Sequence, residues 1–136
     1  MKIPLIGLAV LLSACAAGNS ANVDSFGLDF DVDPDDVMPG DSITLELEND
    51  NSTPVSYNLC SSTLEMQRGN EWSGVTEDRM CTRELRILAP GEEAHFRLQL
   101  PQTLEAGRYR FTTAVQLEEG SRTEQIPSET FEVELR

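Results

Sequence analysis

The chain has very little positive charge, and almost all of it is arginine. Its only lysine is Lys2, whereas 24 of its 136 residues are aspartate or glutamate, so the formal net charge is −14. Nucleic-acid binding needs a basic surface and anionic lipid attracts basic segments, so this balance argues against both as electrostatic partners. Scarce lysine beside abundant carboxylates is also consistent with a salt-adapted organism, because salt screens the self-repulsion.

The chain also lacks an apolar run long enough to cross a membrane. Its longest, residues 3–12, has ten residues and is interrupted by a proline and a glycine, whereas a spanning helix needs ~20. A short apolar run that follows one cation and precedes small residues is the layout of a secretion signal. We therefore expect residues 1–14 to be removed as a signal peptide.

The apolar run closes in "LSAC", residues 12–15, which resembles the lipobox of bacterial lipoproteins. The resemblance implies that Cys15 is diacylated, becomes the first residue of the mature chain and anchors it to a membrane, where several acyl chains hold firmly. Residues 15–25 are small and polar and would form a flexible tether. Ala16 after the cysteine favours the outer membrane in a Gram-negative host. The alternative is an ordinary cleaved signal that leaves Cys15 as a free thiol.

Cysteine is scarce as well. Besides Cys15 the chain has only Cys60 and Cys81, and a remaining pair in an exported chain predicts a disulfide. No CxxC motif or Cys/His spacing accompanies them, which argues against a zinc site at these cysteines. A bridge that closes a loop of about twenty residues would add ~3 kcal/mol by restricting the unfolded chain.

Alternation of apolar and polar residues is abundant. "SITLELEND" places Ile43, Leu45 and Leu47 on one face and polar residues on the other, which is typical of a half-buried strand. Similar alternation recurs in "FGLDFDVD", "VSYNLC", "AHFRLQL", "GRYRFTTAVQL" and "TFEVELR", with turn residues between these segments. We therefore predict an all-β domain over residues 26–136, an antiparallel sandwich of seven to eight strands.

The stretch "LEAGRY" resembles the tyrosine corner of immunoglobulin-like sandwiches through Leu104, Gly107 and Tyr109. In those folds the tyrosine hydroxyl hydrogen-bonds to the backbone just before it. "PGDSITLELEND" and "LAPGEEAHFRLQLP" likewise resemble the B and E strands of bacterial Ig-like domains found in envelope lipoproteins. The chain departs from antibody domains because Cys60 ends the third predicted strand and Cys81 lies in a predicted loop. The resemblance implies an Ig-like fold, and this departure from it predicts that the bridge pins the 61–80 loop at the sandwich edge.

A run of aspartates raises the question of a calcium site. Asp33, Asp35, Asp36 and Asp41 could supply loop ligands, because Ca²⁺ takes six to eight oxygens. The spacing fails the EF-hand pattern, since the twelfth position counted from Asp29 is a glycine rather than a glutamate. We favour a solvated strand face as the explanation, and Ca²⁺ is the only cofactor that the sequence brings into question.

Few other residues suggest a site. Trp72, after a predicted hairpin turn at "GN", is either a recognition anchor or a side chain that packs at the edge of the core. His95, the single histidine, is predicted to face outward without a nucleophile to activate, so we predict no catalytic residues. Arg79, Arg83 and Arg86 form one basic cluster, which we expect to pair with carboxylates on the surface.

These patterns together predict a non-enzymatic, lipid-anchored protein of the cell envelope. Its Ig-like domain would present an interaction or structural surface. An envelope or extracellular protein partner would contact the predicted loops at residues 61–80 and 118–128. A calcium-binding envelope domain and a proteinase-inhibitor-like sandwich are the two alternatives.

Overall fold

The computed structural model describes residues 26–117 and 123–135, which form eleven strands and one 3₁₀ turn. The strands are β1 (Leu28–Asp33), β2 (Asp36–Val37), β3 (Ser42–Asn49), β4 (Val55–Tyr57), β5 (Thr63–Arg68), β6 (Glu71–Gly74), β7 (Arg86–Leu88), β8 (Glu93–Gln99), β9 (Gly107–Gln116), β10 (Thr123–Pro127) and β11 (Phe131–Val133). The 3₁₀ turn, Leu59–Ser61, lies between β4 and β5. In this part of the chain, no helix has the length and apolar character needed to span a bilayer. The expected signal peptide and tether lie outside the described residues.

The smaller sheet has three antiparallel strands, with β3 between β1 and β8. Its register places Phe30 opposite Leu47 and Leu45 opposite Phe96. Because side chains alternate along each strand, these aligned apolar positions face the second sheet together. β3 and β8 are the segments that resemble strands B and E, and they are neighbours here, as in an Ig-like sheet of strands A, B, E and D.

The larger sheet is organised around β9. β11 and β10 pair along one edge of β9, and β5 and β4 pair along the other. β6 extends β5 as a hairpin, β7 extends β4, and β2 pairs with β11 in parallel. The chain therefore crosses from the smaller sheet to the larger one between β1 and β2.

The all-β sandwich is as predicted, but eleven strands replace the expected seven to eight. Three interruptions explain the difference, since β1 is separated from β2, β4 from β5 and β10 from β11. Between β1 and β2 the chain passes to the other sheet. β4 and β5 both pair with β9, and so do β10 and β11, but in each case a break in the ladder divides one passage of the chain into two short strands. β2 and β10 lie in segments where apolar alternation was too short to mark a strand.

The core lies between the inner faces of the two sheets. Ile43, Leu45 and Leu47 are almost completely buried, which confirms the alternation predicted for "SITLELEND". The larger sheet contributes further fully buried side chains, which are Val55, Leu64, Tyr109, Phe111, Val115, Ile126 and Phe131. Each large apolar side chain removed from water contributes ~1.5–3 kcal/mol, so this core is the main source of stability.

A tyrosine corner forms at the start of β9. The Tyr109 hydroxyl donates to the carbonyl of Glu105 at 2.7 Å, and its buried ring stacks on Phe131 with centroids 5.9 Å apart. A Cβ atom at Gly107 would lie 2.7 Å from the Cε atom of Met66, so a side chain there would displace the methionine. The hydrogen bond is the one that the resemblance implies.

The outer face of the smaller sheet is acidic. Asp29 and Asp31 project from β1 and lie opposite Glu48 and Glu46 of β3, and like charges directly opposite one another are destabilising. Partial burial, followed by repulsion from Asp31, raises the pKa of Asp29. Burial and then the charge of Glu129 raise the pKa of Asp31. The folded chain therefore holds these protons more tightly than the unfolded chain does.

Removing one of these charges should stabilise the domain near neutral pH. The stability contributed by a raised carboxyl pKa is fully present below the ordinary value of 3.8 and is lost as the pH rises through the raised value. We expect Asp29→Asn to increase the free energy of unfolding at pH 7 and to reduce the stabilisation gained between pH 7 and about pH 4, measured by urea denaturation.

Asp36→Asn is the matched control, because Asp36 is an exposed aspartate of β2 in the other sheet. Because this side chain is exposed and lies outside the acidic face, the substitution should change the free energy of unfolding at pH 7 by less than Asp29→Asn does. An Asp29→Asn protein with the same stability and pH profile as the wild type would contradict the prediction.

Candidate functional site

Cys60 and Cys81 form the predicted disulfide, with Cα atoms 5.8 Å apart. Cys60 lies in the 3₁₀ turn, where the chain leaves the hydrogen-bonded ladder of the larger sheet. Leu59 of the same turn is buried, so Cys60 is directed away from the core and toward the irregular segment after β6. The bridge therefore lies at the edge of the sandwich, as the sequence implied.

We call residues 75–85, which connect β6 to β7, the disulfide loop. The loop has no regular secondary structure, but hydrogen bonds fix it to the domain at two further points. The N–H of Val75 donates to the carbonyl of Leu64 at 2.8 Å, and the side-chain amide of Asn58 donates to the carbonyl of Thr82 at 2.8 Å. Together with the disulfide, these bonds hold both ends of the loop.

A largely buried ion pair fixes the middle of the disulfide loop. The Arg79 guanidinium donates to the Glu77 carboxylate at 2.7 Å, to the carbonyl of Cys60 at 2.9 Å and to the carbonyl of Ser62 at 2.7 Å. The two side chains are only 17% and 10% exposed. Burial raises the pKa of Glu77, and the nearby Arg79 charge opposes that rise. The guanidinium is thus a cross-link between the loop and the 3₁₀ turn.

The expectation that Arg79, Arg83 and Arg86 form one surface cluster is wrong for Arg79. Arg83 and Arg86 are exposed, whereas Arg79 is half-buried. The reason is the 3₁₀ turn, which interrupts the sheet ladder and presents two carbonyl groups to the Arg79 guanidinium. Sequence spacing alone gives no sign of those acceptors.

Apolar side chains project from the disulfide loop and from β7 into solvent. Met80 is 91% exposed, Leu85 58% and Ile87 64%. The described residues include five exposed large hydrophobic side chains, and three of them lie between residues 80 and 87. β7 is also the last strand in the order of the larger sheet, so these side chains accompany an open strand edge.

Two clefts flank the disulfide loop. One, of about 420 Å³, lies between the loop and β8 and is lined by Tyr57, Met80 and His95, among others. The other, of about 650 Å³, is lined by Asp78 and by residues that follow β8. The half-buried ring of Phe96 lines both clefts. This arrangement offers apolar contact area beside a rigid loop, which suits the binding of another molecule.

The two predicted interaction loops need correction. Residues 61–80 are not a single loop, because they contain the β5–β6 hairpin, with its turn at the predicted Gly69-Asn70 position. Only the part from residue 75 onward is irregular. In the second segment, residues 118–122 lie outside the described residues and residues 123–127 form β10.

Trp72 lies on β6 at the outer face of the larger sheet. Its ring is half-buried, and the Arg110 guanidinium carbon lies 4.4 Å from the ring centroid. Arg110 also donates to the Glu65 carboxylate at 2.7 Å. A cation–π contact at an exposed site contributes ~0.5–1 kcal/mol. Trp72 therefore packs on the sheet surface, outside the buried core.

The four aspartates considered for calcium, Asp33, Asp35, Asp36 and Asp41, are not gathered into one site. Asp33 ends β1 in the smaller sheet, whereas Asp36 lies on β2 in the larger sheet. The carboxylate of Asp41 accepts a hydrogen bond from the N–H of Met38 at 2.9 Å. Within the described part of the chain, no three of these carboxylates place oxygen atoms within 4.8 Å of one another. The crossover between sheets separates them.

A different set of ligand-type side chains does converge. Glu46 on β3 and Glu93 and His95 on β8 place one ligand atom each within 4.8 Å of the others, the one such group found in residues 26–117 and 123–135. The outward direction predicted for His95 is correct, since the residue is exposed. Sequence reasoning did not identify Glu46 and Glu93 as neighbours of His95, because the register between β3 and β8 decides which residues of the two strands meet. The outward alternation on both strands was the available signal.

The family model for bacterial Ig-like domains matches residues 24–133, a range that includes all eleven strands. The chain belongs to the bacterial Ig-like domain family. Such domains are typically non-catalytic structural or interaction domains. The resemblance drawn from the tyrosine corner and from β3 and β8 is therefore confirmed. Comparison with curated protein sequences gives no match.

Several solved structures are similar to this chain over most of its length. The Pseudomonas fluorescens alkylpurine DNA glycosylase AlkC, bound to DNA containing an abasic site analog, is 16% identical with a TM-score of 0.43, over 79% of this chain and 30% of that one. Spo0M, a sporulation control protein from Bacillus subtilis, is 16% identical with a TM-score of 0.47, and the match covers 79% of this chain and 48% of Spo0M. The PapD-like domain 7 of human CEP192 is 15% identical with a TM-score of 0.41, over 98% and 96%. The chain thus spans under half the length of the first two, and these likenesses carry no argument about function.

Removing the Arg79 side chain should loosen the disulfide loop and destabilise the domain. Arg79→Ala leaves the Glu77 carboxylate buried without its partner, and breaking a buried ion pair from one side costs about 3 kcal/mol. We expect that loss in the free energy of unfolding, measured by urea denaturation, together with faster proteolysis within residues 75–85.

Arg83→Ala is the matched control, because Arg83 is an exposed arginine of the same loop. Its effect on stability should stay within about 0.5 kcal/mol. Equal effects of the two substitutions would show that the Arg79 contacts do not fix the loop.

Proposed function

We propose that this chain is a non-enzymatic protein of the cell envelope, lipid-anchored at Cys15, whose Ig-like domain binds a protein partner through the disulfide loop and β7. The observation that carries the proposal is the exposure of Met80, Leu85 and Ile87 on one short segment. Single exposed hydrophobic side chains are ordinary on protein surfaces. Several of them beside an open strand edge are typical of a contact surface for another protein.

The rigidity of the disulfide loop supports a binding role. Association costs about 0.5–1.5 kcal/mol for each flexible side chain that it immobilises, and ordering a loop adds to that cost. The disulfide and the Arg79 contacts already fix the backbone on both sides of Met80. A methionine side chain is also flexible and polarizable, so it adapts to the surface that it meets. The segment therefore combines a fixed backbone with an adaptable apolar tip.

The charge of the chain specifies the kind of partner. With a formal net charge of −14, the domain attracts proteins whose contact surface is rimmed by basic residues and repels acidic ones. Arg83 and Arg86 lie beside the apolar side chains, so the centre of the contact is the least acidic part of the segment. We infer a partner with an apolar centre and a basic rim.

The proposal of a lipid anchor is based on the N-terminal sequence, which lies outside the described residues. The "LSAC" stretch supports lipidation at Cys15, and Ala16 supports the outer membrane as the destination in a Gram-negative host. The described domain begins at Phe26, so about ten small and polar residues would separate it from the lipid. An acidic domain on a short tether would stand away from an anionic membrane surface.

A photo-reactive amino acid placed at Met80 or at Ile87 should cross-link a protein of defined mass in intact cells. The same amino acid at Thr130, which is exposed in the connection between β10 and β11 and lines neither cleft, is the matched control and should give no such product. The product formed from Met80 should disappear in the Ile87→Glu background, because a charge at the apolar centre weakens the contact. Equal cross-linking from all three positions would contradict the proposed surface.

The anchor is tested separately by mass spectrometry and fractionation. The wild-type chain should lack residues 1–14, carry acyl groups at Cys15 and sediment with membranes, whereas Cys15→Ser should lose the acyl groups and the membrane association. In a Gram-negative host, Ala16→Asp should keep the lipid and move the chain to the inner membrane. An unmodified thiol at Cys15 would contradict the anchor and leave the interaction surface to be judged by its cross-links.

A further inference from the structure

A histidine and two glutamates meet on the outer face of the smaller sheet. Glu46 of β3 lies directly opposite His95 of β8 in the antiparallel register. Glu93 precedes His95 by two residues on the same strand, so both side chains project from the same face. The Nε2 atom of His95 lies 3.2 Å from a carboxylate oxygen of Glu93 and 3.9 Å from one of Glu46.

These separations are close to those between ligands of one metal ion. Zn²⁺ bound tetrahedrally at ~2.0–2.1 Å separates neighbouring ligand atoms by roughly 3.3 Å. The His95–Glu93 distance of 3.2 Å is near that value. The Glu46 carboxylate, 3.9 Å from the His95 Nε2 atom, lies at the end of a rotatable side chain that can bring it closer. All three residues lie on paired strands, so the backbone positions are fixed, and the fourth ligand position faces solvent.

The surroundings favour a cation at this position. Arg97 is the only arginine or lysine in β1, β3 and β8, whereas the sheet register places Asp31 opposite Glu46 and Glu48 opposite Glu93. Like charges directly opposite one another destabilise a sheet. A bound dication would offset this repulsion and would also join β3 to β8. The ion pair between His95 and the glutamates supplies at most one positive charge for the same purpose.

We propose that Glu46, Glu93 and His95 form a site for a divalent transition-metal ion of the Zn²⁺ class, with one position open to water or to a further ligand. An imidazole nitrogen beside two carboxylates suits Zn²⁺ and its neighbours in the first transition row, whereas Ca²⁺ takes oxygen ligands. Ligation through Nε2 places the histidine proton on Nδ1. The site is distinct from the disulfide loop and from the aspartates considered for calcium.

The single histidine makes the test specific. The full chain is stripped of metal with a chelator and titrated with Zn²⁺, while the imidazole ¹⁵N resonances, which can come only from His95, are followed by NMR. We expect the Nε2 resonance to shift with one equivalent of Zn²⁺ and to stay in place with Ca²⁺ at the same concentration. An imidazole that does not respond to Zn²⁺, or that responds equally to Ca²⁺, would overturn the site.

Charge-matched variants distinguish a defined metal site from non-specific attraction of cations by the acidic face of the sheet. By calorimetry, Glu46→Gln, Glu93→Gln and His95→Gln should each weaken Zn²⁺ binding by about tenfold or more, as expected when a metal site loses a contributing group. Glu48→Gln removes the same charge from the same face of β3, two residues from Glu46. Because the Glu48 carboxylate adds only to the general attraction and supplies no ligand atom, this change should weaken Zn²⁺ binding much less than Glu93→Gln does. A loss with Glu48→Gln as large as that with Glu93→Gln would mean that the acidic face attracts cations without a defined site.

Discussion

The alternation of side chains across the two sheets is the constraint on which the rest of this structure depends. Because Leu45 and Leu47 must fill the core, Glu46 between them has to project outward. The same rule on β8 directs Glu93 and His95 outward, while Ala94, Phe96 and Leu98 face the core. Once β3 and β8 pair in register, the three polar side chains meet. The acidic face and its histidine therefore follow from the packing of the interior.

The local part of this organisation could be predicted from sequence, and the long-range part could not. The strand "SITLELEND" is contained in a short stretch, so the alternation of its residues was enough to predict it. The tyrosine corner around Tyr109 is equally local, and it was implied by the resemblance of "LEAGRY" to Ig-like sandwiches. The bond from Arg79 to the carbonyl of Cys60 depends on a 3₁₀ turn that interrupts the sheet nineteen residues earlier in the chain. The pairing of Glu46 with His95 depends on register between strands that are far apart in sequence. The alternation of residues along a strand gives the direction of a side chain but does not identify its partner in either contact.

The two surfaces described here are neighbours, although they differ in chemistry. His95 lines the cleft between β8 and the disulfide loop, and Met80 lines the same cleft from the opposite side. One wall is therefore acidic with an imidazole at its margin, and the other is apolar and fixed by the Cys60–Cys81 bridge. A partner that reaches over the loop toward β8 would meet both kinds of contact. The cleft therefore joins the proposed metal site to the proposed contact surface at one edge of the sandwich.

The crossover from β1 to β2 has a mechanical consequence. β1 is held by β3 along six residues, and the chain then passes to the other sheet, where β2 lies parallel to β11. A pull at residue 26 that acts along the axis of β1 would load the six residue pairs of its ladder together instead of separating them one after another. Resistance to such a pull is governed by the rate of unfolding. A domain anchored ahead of its first strand and held by a partner at the disulfide loop, as proposed above, would carry tension in shear.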